Sequence, residues 1–171
     1  MAVLQTIRPE MPADVEAIRA LTEAAFRQAS HSDHREGAII DGLRIARALV
    51  LSLVAVDDEG GILGHVAFSE VSVESGEGGW YGLGPVSVWP RSQRQGVGKA
   101  LVADGLDRLK AMGANGCVLL GDPAFYGRFG FASDPSLTYR GLPARFVQRL
   151  VFVPPAPQGE ITYHPAFEAA T

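Results

Sequence analysis

The stretch from Trp80 to Gly113 constrains the fold of this chain more than any other segment. Residues 80–89 are rich in aromatic and branched apolar side chains, and Pro90 ends this run because proline cannot donate a hydrogen bond to a neighbouring strand. After Gly96 the apolar residues recur at helical spacing, and Gly113 is typical of a helix end. The helix-defining apolar positions are Leu101, Val102, Leu106, Leu109 and Met112. The sequence therefore predicts a strand that runs through a glycine loop into an amphipathic helix.

The loop between that strand and that helix, residues 90–99, is basic on an otherwise acidic chain. It carries Arg91, Arg94 and Lys99 and no acidic residue, whereas the whole chain has a net charge of −4. Glycines at positions 96 and 98 let the backbone turn its N–H groups inward, and a helix N-terminus adds a partial positive charge. This combination predicts a binding site for a polyphosphate.

Three phosphate-binding patterns can be compared with this loop. A Walker loop needs a glycine five places before Gly98 and a Ser or Thr after Lys99, where this chain has Gln93 and Ala100. A dinucleotide-binding fingerprint needs a third glycine, where this chain has a leucine, and a βαβ unit that the flanking segments do not form. The remaining pattern, Gln/Arg-x-x-Gly-x-Gly/Ala, is met by Gln93, Gly96 and Gly98.

Hydrophobic periodicity along the rest of the chain predicts a mixed α/β fold in the order β-α-α-β-β-β-α-β-α-β-β. With 171 residues and 47% hydrophobic residues, the chain has the size and core of a single domain, which we expect to span residues 1–171. The other predicted elements are strand 2–8, helices 12–27 and 36–47, hairpin strands 48–57 and 62–73, strand 117–120, a turn-like segment at 121–130, and closing strands 146–154 and 160–163.

Charge and hydropathy exclude several classes of protein. The acidic balance argues against a nucleic-acid binder, and the apolar runs are too short to span a bilayer. Cys117 is the only cysteine, so no internal disulfide is expected, and its place in an apolar run predicts a small buried side chain. His31, Asp33 and His34 lack a further ligand at a diagnostic spacing, which favours a solvated loop over a metal site. We expect a cytoplasmic protein with no metal, nucleic-acid or membrane partner.

The loop pattern resembles the acetyl-CoA pyrophosphate loop of the GNAT N-acetyltransferase superfamily. The preceding segment, Leu83–Pro90, looks like the fourth strand of that family, and Gly121–Phe131 resembles its later segment built around Tyr-x-x-x-Gly-Phe. Together with the closing Tyr163–Phe167, these segments resemble the YhbS-like branch of predicted acetyltransferases. The resemblance covers nearly the whole chain.

This resemblance implies the GNAT fold, in which helices flank a mixed, mostly antiparallel sheet that splays between its fourth and fifth strands. It also implies acetyl-CoA as the acetyl donor, with the pantetheine arm in that gap and the pyrophosphate on the loop. Preorganised backbone donors suit both tasks. The residues that the resemblance assigns to acetyl-CoA are Val86, Ser87, Val88, Gln93, Arg94, Gln95, Gly96, Val97, Gly98 and Lys99.

The implied reaction moves an acetyl group to a primary amine of a small molecule or peptide, by direct attack on the thioester. Tyr126 occupies the family position of the general acid that protonates the leaving thiolate. Many relatives carry a glutamate base on the fourth strand, but this chain has Gly84-Pro85 there. Glu70 and His65, on the neighbouring predicted strand, are the candidate substitutes.

The missing carboxylate leaves a second hypothesis open. A non-catalytic acyl-CoA-binding or regulatory module with the GNAT fold would keep the loop and lack the base. Tyr126 favours the enzyme, whereas Gly84-Pro85 favours the regulatory module. The identity of the acceptor and the formation of a homodimer also stay open at this stage, because one fold can act on many acceptors.

Overall fold

The computed structural model describes residues 5–27, 29 and 32–169, so residues 2–4 of the first predicted strand and His31 lie outside the described residues. The chain folds into two compact units. The first unit consists of Met1–Phe68, Gly84–Gly105 and Pro165–Thr171, and the second consists of Ser69–Leu83 and Leu106–His164. The expectation of one domain over the whole chain stays a prediction.

Seven strands of four or more residues and five α-helices organise the described residues. The strands are β1 (Thr6–Pro9), β2 (Leu49–Val56), β3 (Ile62–Glu70), β4 (Trp80–Val88), β5 (Gly116–Leu120), β6 (Val147–Val151) and β7 (Gly159–Thr162). The helices are α1 (Val15–Phe26), α2 (Glu36–Ile45), α3 (Val97–Ala111), α4 (Pro123–Tyr126) and α5 (Ala166–Ala169).

The first unit contains β1, β2, residues 62–68 of β3 and residues 84–88 of β4, in the order β1-β2-β3-β4. β1 pairs antiparallel with β2, with Thr6 opposite Val56. β2 and β3 are adjacent strands joined by a short turn, in which the Asp57 N–H donates to the Gly61 carbonyl at 2.9 Å. This is the predicted hairpin. Helices α1 and α2 contribute Ile18 and Ile40 to a core cluster with the side chains of β2, as their apolar spacing predicts.

The first turns of α3 pack closely on β3, and this contact fixes where the glycine loop begins and ends. A Cβ atom at Gly64 of β3 would lie 2.9 Å from the Ser87 carbonyl oxygen and 3.0 Å from the side chains of both Val97 and Leu101, so glycine lets β4 and α3 approach this strand closely. The Trp89 N–H donates to the Leu63 carbonyl at 3.0 Å, which holds the end of β4 beside the same strand. The loop is therefore held at both ends by β3.

The second unit contains a mixed sheet and a small three-stranded sheet. Residues 80–82 of β4 pair in parallel with residues 116–118 of β5, so the ladder covers three residues of a nine-residue strand. β5 pairs antiparallel with β6 along its whole length. A two-residue strand, Ala132–Ser133, adds to the far edge of β6. The small sheet consists of Ser72–Val73, β7 and Leu137–Thr138, and its strands pack around Trp80.

The predicted elements agree with the structure except where they are very short. The turn-like segment after β5 contains the four-residue helix α4, followed by a 3₁₀ turn at Gly127–Phe129. Residues 12–14 of the first predicted helix form a 3₁₀ turn, which brings Asp14 within 2.7 Å of the Arg8 guanidinium. In the small sheet, β7 and Ser72–Val73 lie in predicted strands, whereas Leu137–Thr138 was not predicted, because a two-residue strand has no periodic pattern. Cys117 is fully buried, as predicted.

Candidate functional site

The loop between β4 and α3 adopts a left-handed backbone conformation at two positions. Arg94 has φ 63° and Gly96 has φ 86°, and glycine takes this conformation without the strain that a Cβ atom would add. The Ala100 N–H donates to the Gly96 carbonyl at 3.0 Å, which is the first hydrogen bond of α3. The N–H groups of residues 97–99 therefore have no acceptor within the helix. Three backbone donors and the positive end of α3 form an anion-binding position.

The two glutamines of the loop hold its backbone in shape. Gln93 Nε2 donates to the Val88 carbonyl at 3.1 Å, and Gln95 Nε2 donates to the Arg91 carbonyl at 3.3 Å. Both side chains are thus used within the loop, which leaves the backbone N–H groups to face a ligand. The sequence pattern located Gln93 but did not reveal this internal hydrogen bond.

A cavity of about 570 Å³ lies beside the loop in the first unit. Two guanidinium groups line it: Arg91, which stacks over the Trp89 ring at 5.1 Å, and Arg27, from the end of α1. No acidic residue lines this cavity among the described residues. Arg27 could not be predicted as part of this site, because nothing in the sequence brings the end of α1 to this loop. The other lining residues are Ala24, Ala25, Ala29, Pro90 and Gln93.

The predicted pantetheine strand is anchored to α1. Ser87 is buried, and its hydroxyl donates to Thr22 Oγ1 at 3.3 Å, while Thr22 Oγ1 donates to the Ile18 carbonyl at 2.7 Å. Val86 and Val88, on either side, are half-buried. The Ser87 hydroxyl is therefore used in a hydrogen bond within the protein. Only the backbone of Ser87 stays a candidate for ligand binding.

A second cavity of the first unit, about 290 Å³, opens between α1 and α2 and has carboxylates in its wall. Glu23 pairs with Arg19 at 2.9 Å, and Glu36 accepts a hydrogen bond from the Ser32 hydroxyl at 2.9 Å. The Phe26 ring adds an aromatic surface. The remaining lining residues are Thr22, Arg27, His34 and Gly37.

His65, one of the two candidate bases, is fully buried within the first unit. Its Nε2 lies 2.7 Å from the Ser52 hydroxyl and 3.9 Å from the Glu10 carboxylate, which also pairs with Arg44 at 2.8 Å. Burial lowers the pKa of His65 to about 4, so the imidazole is neutral at pH 7. Burial raises the pKa of Glu10, but hydrogen bonds from Arg44 and Ser52 outweigh this effect, and its pKa is lowered overall.

Tyr126, the candidate general acid, ends α4 in the second unit. The Asp122 side chain caps this helix by accepting the Ala124 N–H at 2.9 Å. The Tyr126 ring packs edge-on against Phe125 at 4.8 Å and against Phe131 at 6.1 Å between ring centroids. Burial raises the pKa of Tyr126 to about 12, so the phenol keeps its proton throughout the neutral range.

Glu70, the other candidate base, lies exposed at the end of β3 and belongs to the second unit, with Tyr126. His65 and the glycine loop belong to the first unit. The described residues contain no group of three or more His, Cys, Asp and Glu side chains arranged to hold a metal ion. Within the same residues, none of the helices is both long and apolar enough to cross a bilayer.

Comparison with known proteins identifies the family. Residues 6–133 match the model of the acetyltransferase (GNAT) domain. An Escherichia coli (strain K12) protein, named as the uncharacterized N-acetyltransferase YhbS, is 42% identical over 125 residues, which are 73% of this chain and 72% of that protein. The chain belongs to the GNAT acetyltransferase family.

Two crystal structures are similar to this fold. A GNAT family acetyltransferase from Brucella melitensis, solved with acetyl-CoA, has a TM-score of 0.85 and 49% identity, and the match covers 96% of this chain and 98% of that one. YhbS from Escherichia coli, solved with CoA, has a TM-score of 0.86 and 35% identity, covering 98% and 94%. These matches confirm the predicted fold class and the resemblance to the YhbS-like branch.

The buried imidazole of His65 generates a prediction about stability. Its pKa of about 4 in the folded chain lies below the ordinary value of 6.5, so between these pH values the unfolded chain binds more protons. His65 therefore adds stability above pH 6.5 and loses it as the pH falls towards 4. At 1.36 kcal/mol for each pKa unit, we expect a loss of about 3 kcal/mol between pH 7 and pH 4.

Urea unfolding of the wild type and of His65→Gln, across this pH range, measures that loss. The Gln variant should lack this component of the pH dependence. His34→Asn is the matched control, because it removes an exposed histidine at a positive φ that asparagine tolerates, and it should keep the wild-type slope. A wild-type slope in His65→Gln would show that His65 is not the titrating group.

Proposed function

We propose that this protein is an acetyl-CoA-dependent N-acetyltransferase that acts on a primary amine of a small molecule or peptide. The observation that carries the proposal is the loop of residues 93–99, in which free backbone N–H groups at the start of α3 meet a basic surface. Acetyl-CoA carries a pyrophosphate that matches these donors. The acetyl-CoA and CoA bound by the two similar structures support this choice of ligand.

In this proposal the first unit holds the donor. The backbone of Arg94, Gln95 and residues 96–99 binds the pyrophosphate, with Gln93 keeping the loop in shape. The backbone of residues 86–88 binds the pantetheine arm. A free strand edge presents fixed N–H and C=O groups, and such groups need no reorganisation when charge develops on the thioester oxygen.

The charges around the first unit support an amine as the acceptor. The cavity beside the loop is lined by Arg27 and Arg91, whereas the cavity between α1 and α2, which Arg27 also lines, has Glu23 and Glu36 in its wall. An anionic donor and a cationic acceptor would be attracted to different cavities. Phe26 adds a ring face that favours an ammonium group.

The proposed reaction needs a base and an acid. An amine with a pKa near 10.4 is neutral in about one molecule in 2,500 at pH 7, which costs roughly 4.6 kcal/mol if the protein does not help. The neutral nitrogen attacks the thioester carbon and forms the C–N bond. The C–S bond then breaks, the thiolate takes the proton of the Tyr126 phenol, and the nitrogen loses its extra proton to the base. The phenolate regains a proton from solvent.

We propose Glu70, acting through a water molecule, as the base that receives the amine proton. Its carboxylate is exposed, whereas the only other candidate from the sequence, His65, is enclosed by Ser52 and Glu10. An exposed carboxylate is open to water, which can pass it the proton that leaves the acceptor. His65 then links β3 to β2 through the Ser52 hydroxyl.

The non-catalytic acyl-CoA-binding module stays the second candidate, because β4 has Gly84-Pro85 where relatives carry a glutamate. Both candidates bind acetyl-CoA through the loop. Only the enzyme transfers the acetyl group, so thiol release with an amine present separates the two.

Gly98→Glu should weaken acetyl-CoA binding at least tenfold, because its carboxylate would repel the pyrophosphate at the start of α3. Titration calorimetry measures the Kd. Ala103→Glu is the matched control, since it adds the same charge to an exposed position about 7.5 Å further along the helix. Wild-type affinity in a folded Gly98→Glu protein would remove the loop from the binding site.

Tyr126→Phe should lower kcat about a hundredfold while acetyl-CoA affinity stays within twofold, because only the proton donor is lost. The assay follows the thiol released from acetyl-CoA. Tyr139→Phe, which removes a phenol elsewhere in the second unit, should keep the wild-type rate. Full turnover in Tyr126→Phe would exclude Tyr126 as the acid.

The double variant Glu23→Gln and Glu36→Gln should raise the KM for a diamine about tenfold and leave kcat nearly unchanged, since the attraction lost is the same in the ground and transition states. In the same double variant, the KM for a monoamine with a neutral tail should rise by a smaller factor. Glu59→Gln, in an exposed turn, is the control. An unchanged KM for the diamine would place the acceptor elsewhere.

A further inference from the structure

The Tyr126 ring lies directly on the backbone of Gly121, the residue that follows β5. A Cβ atom at Gly121 would lie 2.7 Å from Tyr126 Cε2 and 3.2 Å from Cδ2, closer than non-bonded carbon atoms approach. A Cβ atom at this position would therefore force the ring to move. The backbone of Gly121 is not in a left-handed conformation, so the ring, and not the backbone conformation, opposes a larger residue here.

The backbone of Gly121 is held from two sides by the segment that enters β6. Its N–H donates to the Phe146 carbonyl at 3.0 Å. Its carbonyl accepts a hydrogen bond from Gln148 Nε2 at 2.9 Å. The surface on which the Tyr126 ring rests is thus fixed by one backbone and one side-chain hydrogen bond.

Gln148 is a fully buried amide in β6, whose other residues are Val147, Arg149, Leu150 and Val151. It lies opposite Leu119 of β5 in the antiparallel ladder. Its Oε1 has no hydrogen-bond partner in the part of the chain that the structure describes. An unpaired buried acceptor costs free energy that a methionine of similar size would avoid. The hydrogen bond that Gln148 Nε2 donates to the Gly121 carbonyl offsets part of that free energy.

We propose that Gln148 and Gly121 are positioning residues for the general acid. Gln148 fixes the Gly121 carbonyl, the Gly121 Cα supports the Tyr126 ring, and the ring direction sets where the phenol proton is delivered. This inference rests on the proposed function for its catalytic consequence. The geometry of the three residues belongs to the second unit alone.

Two variants test the arrangement by different routes. Gly121→Ala pushes the ring away, and Gln148→Met removes the hydrogen bond without adding bulk. Gly127→Ala is the matched control, because it follows Tyr126 directly, has φ −57° and has open space where the Cβ atom would lie. Thermal unfolding establishes that each protein is folded. If Gly121→Ala does not fold, Gln148→Met alone tests the proposal.

The first readout is the ionisation of Tyr126, followed by the Cζ chemical shift of ¹³C-labelled tyrosine and assigned from the signal missing in Tyr126→Phe. In the wild type Tyr126 is half-buried and its pKa is about 12. We expect both test variants to lower this pKa by one unit or more, since a displaced phenol is better solvated. We also expect kcat to fall tenfold or more, with the Kd for acetyl-CoA within twofold.

The outcomes separate this inference from the proposed function. Wild-type ionisation of Tyr126 in both folded variants overturns the positioning role, and so does a loss of kcat without a change in ionisation. If the wild type transfers no acetyl group to any amine, the proposed function fails, and the titration alone still decides whether Gln148 and Gly121 hold the phenol. Gly127→Ala should match the wild type in both readouts.

Discussion

The close packing of α3 on β3 is the constraint on which the loop depends. Gly64 lets Val97 and Leu101 approach the strand, and this contact places the first turn of the helix at the end of β4. The hydrogen bond from Trp89 to Leu63 holds the other end of the loop beside the same strand. A phosphate-binding loop works only if its N–H groups are already oriented, because reorganising them would consume the binding energy. Here the orientation follows from apolar packing several residues away.

Hydrogen bonds between buried polar groups also hold the elements next to that loop together. Ser87 joins β4 to α1 through Thr22, and His65 joins β2 and β3 through Ser52. Such groups cost desolvation energy and are retained in a core when their hydrogen bonds specify one arrangement of the elements. The buried Gln148 of the second unit follows the same logic, since its amide fixes the backbone under Tyr126.

Much of the fold and of the loop could be predicted from the sequence. The helix after Gly96 and the hairpin after residue 48 have clear hydrophobic periods, and their packing follows those periods. What could not be predicted depends on contacts between residues distant in the sequence. Gln148 reads as a polar residue in a strand, and nothing local shows that its amide reaches Gly121. Arg27 likewise ends a helix in the sequence and lines the cavity beside the loop only in the folded chain.

The central claim is that the loop binds acetyl-CoA, and titration calorimetry of the wild-type protein with acetyl-CoA tests it most directly. The arrangement of three free N–H groups, a helix N-terminus and a basic surface predicts binding at one site per chain with a Kd near 1 µM, or about −8 kcal/mol. Folded protein that gives no binding signal with acetyl-CoA would contradict the account.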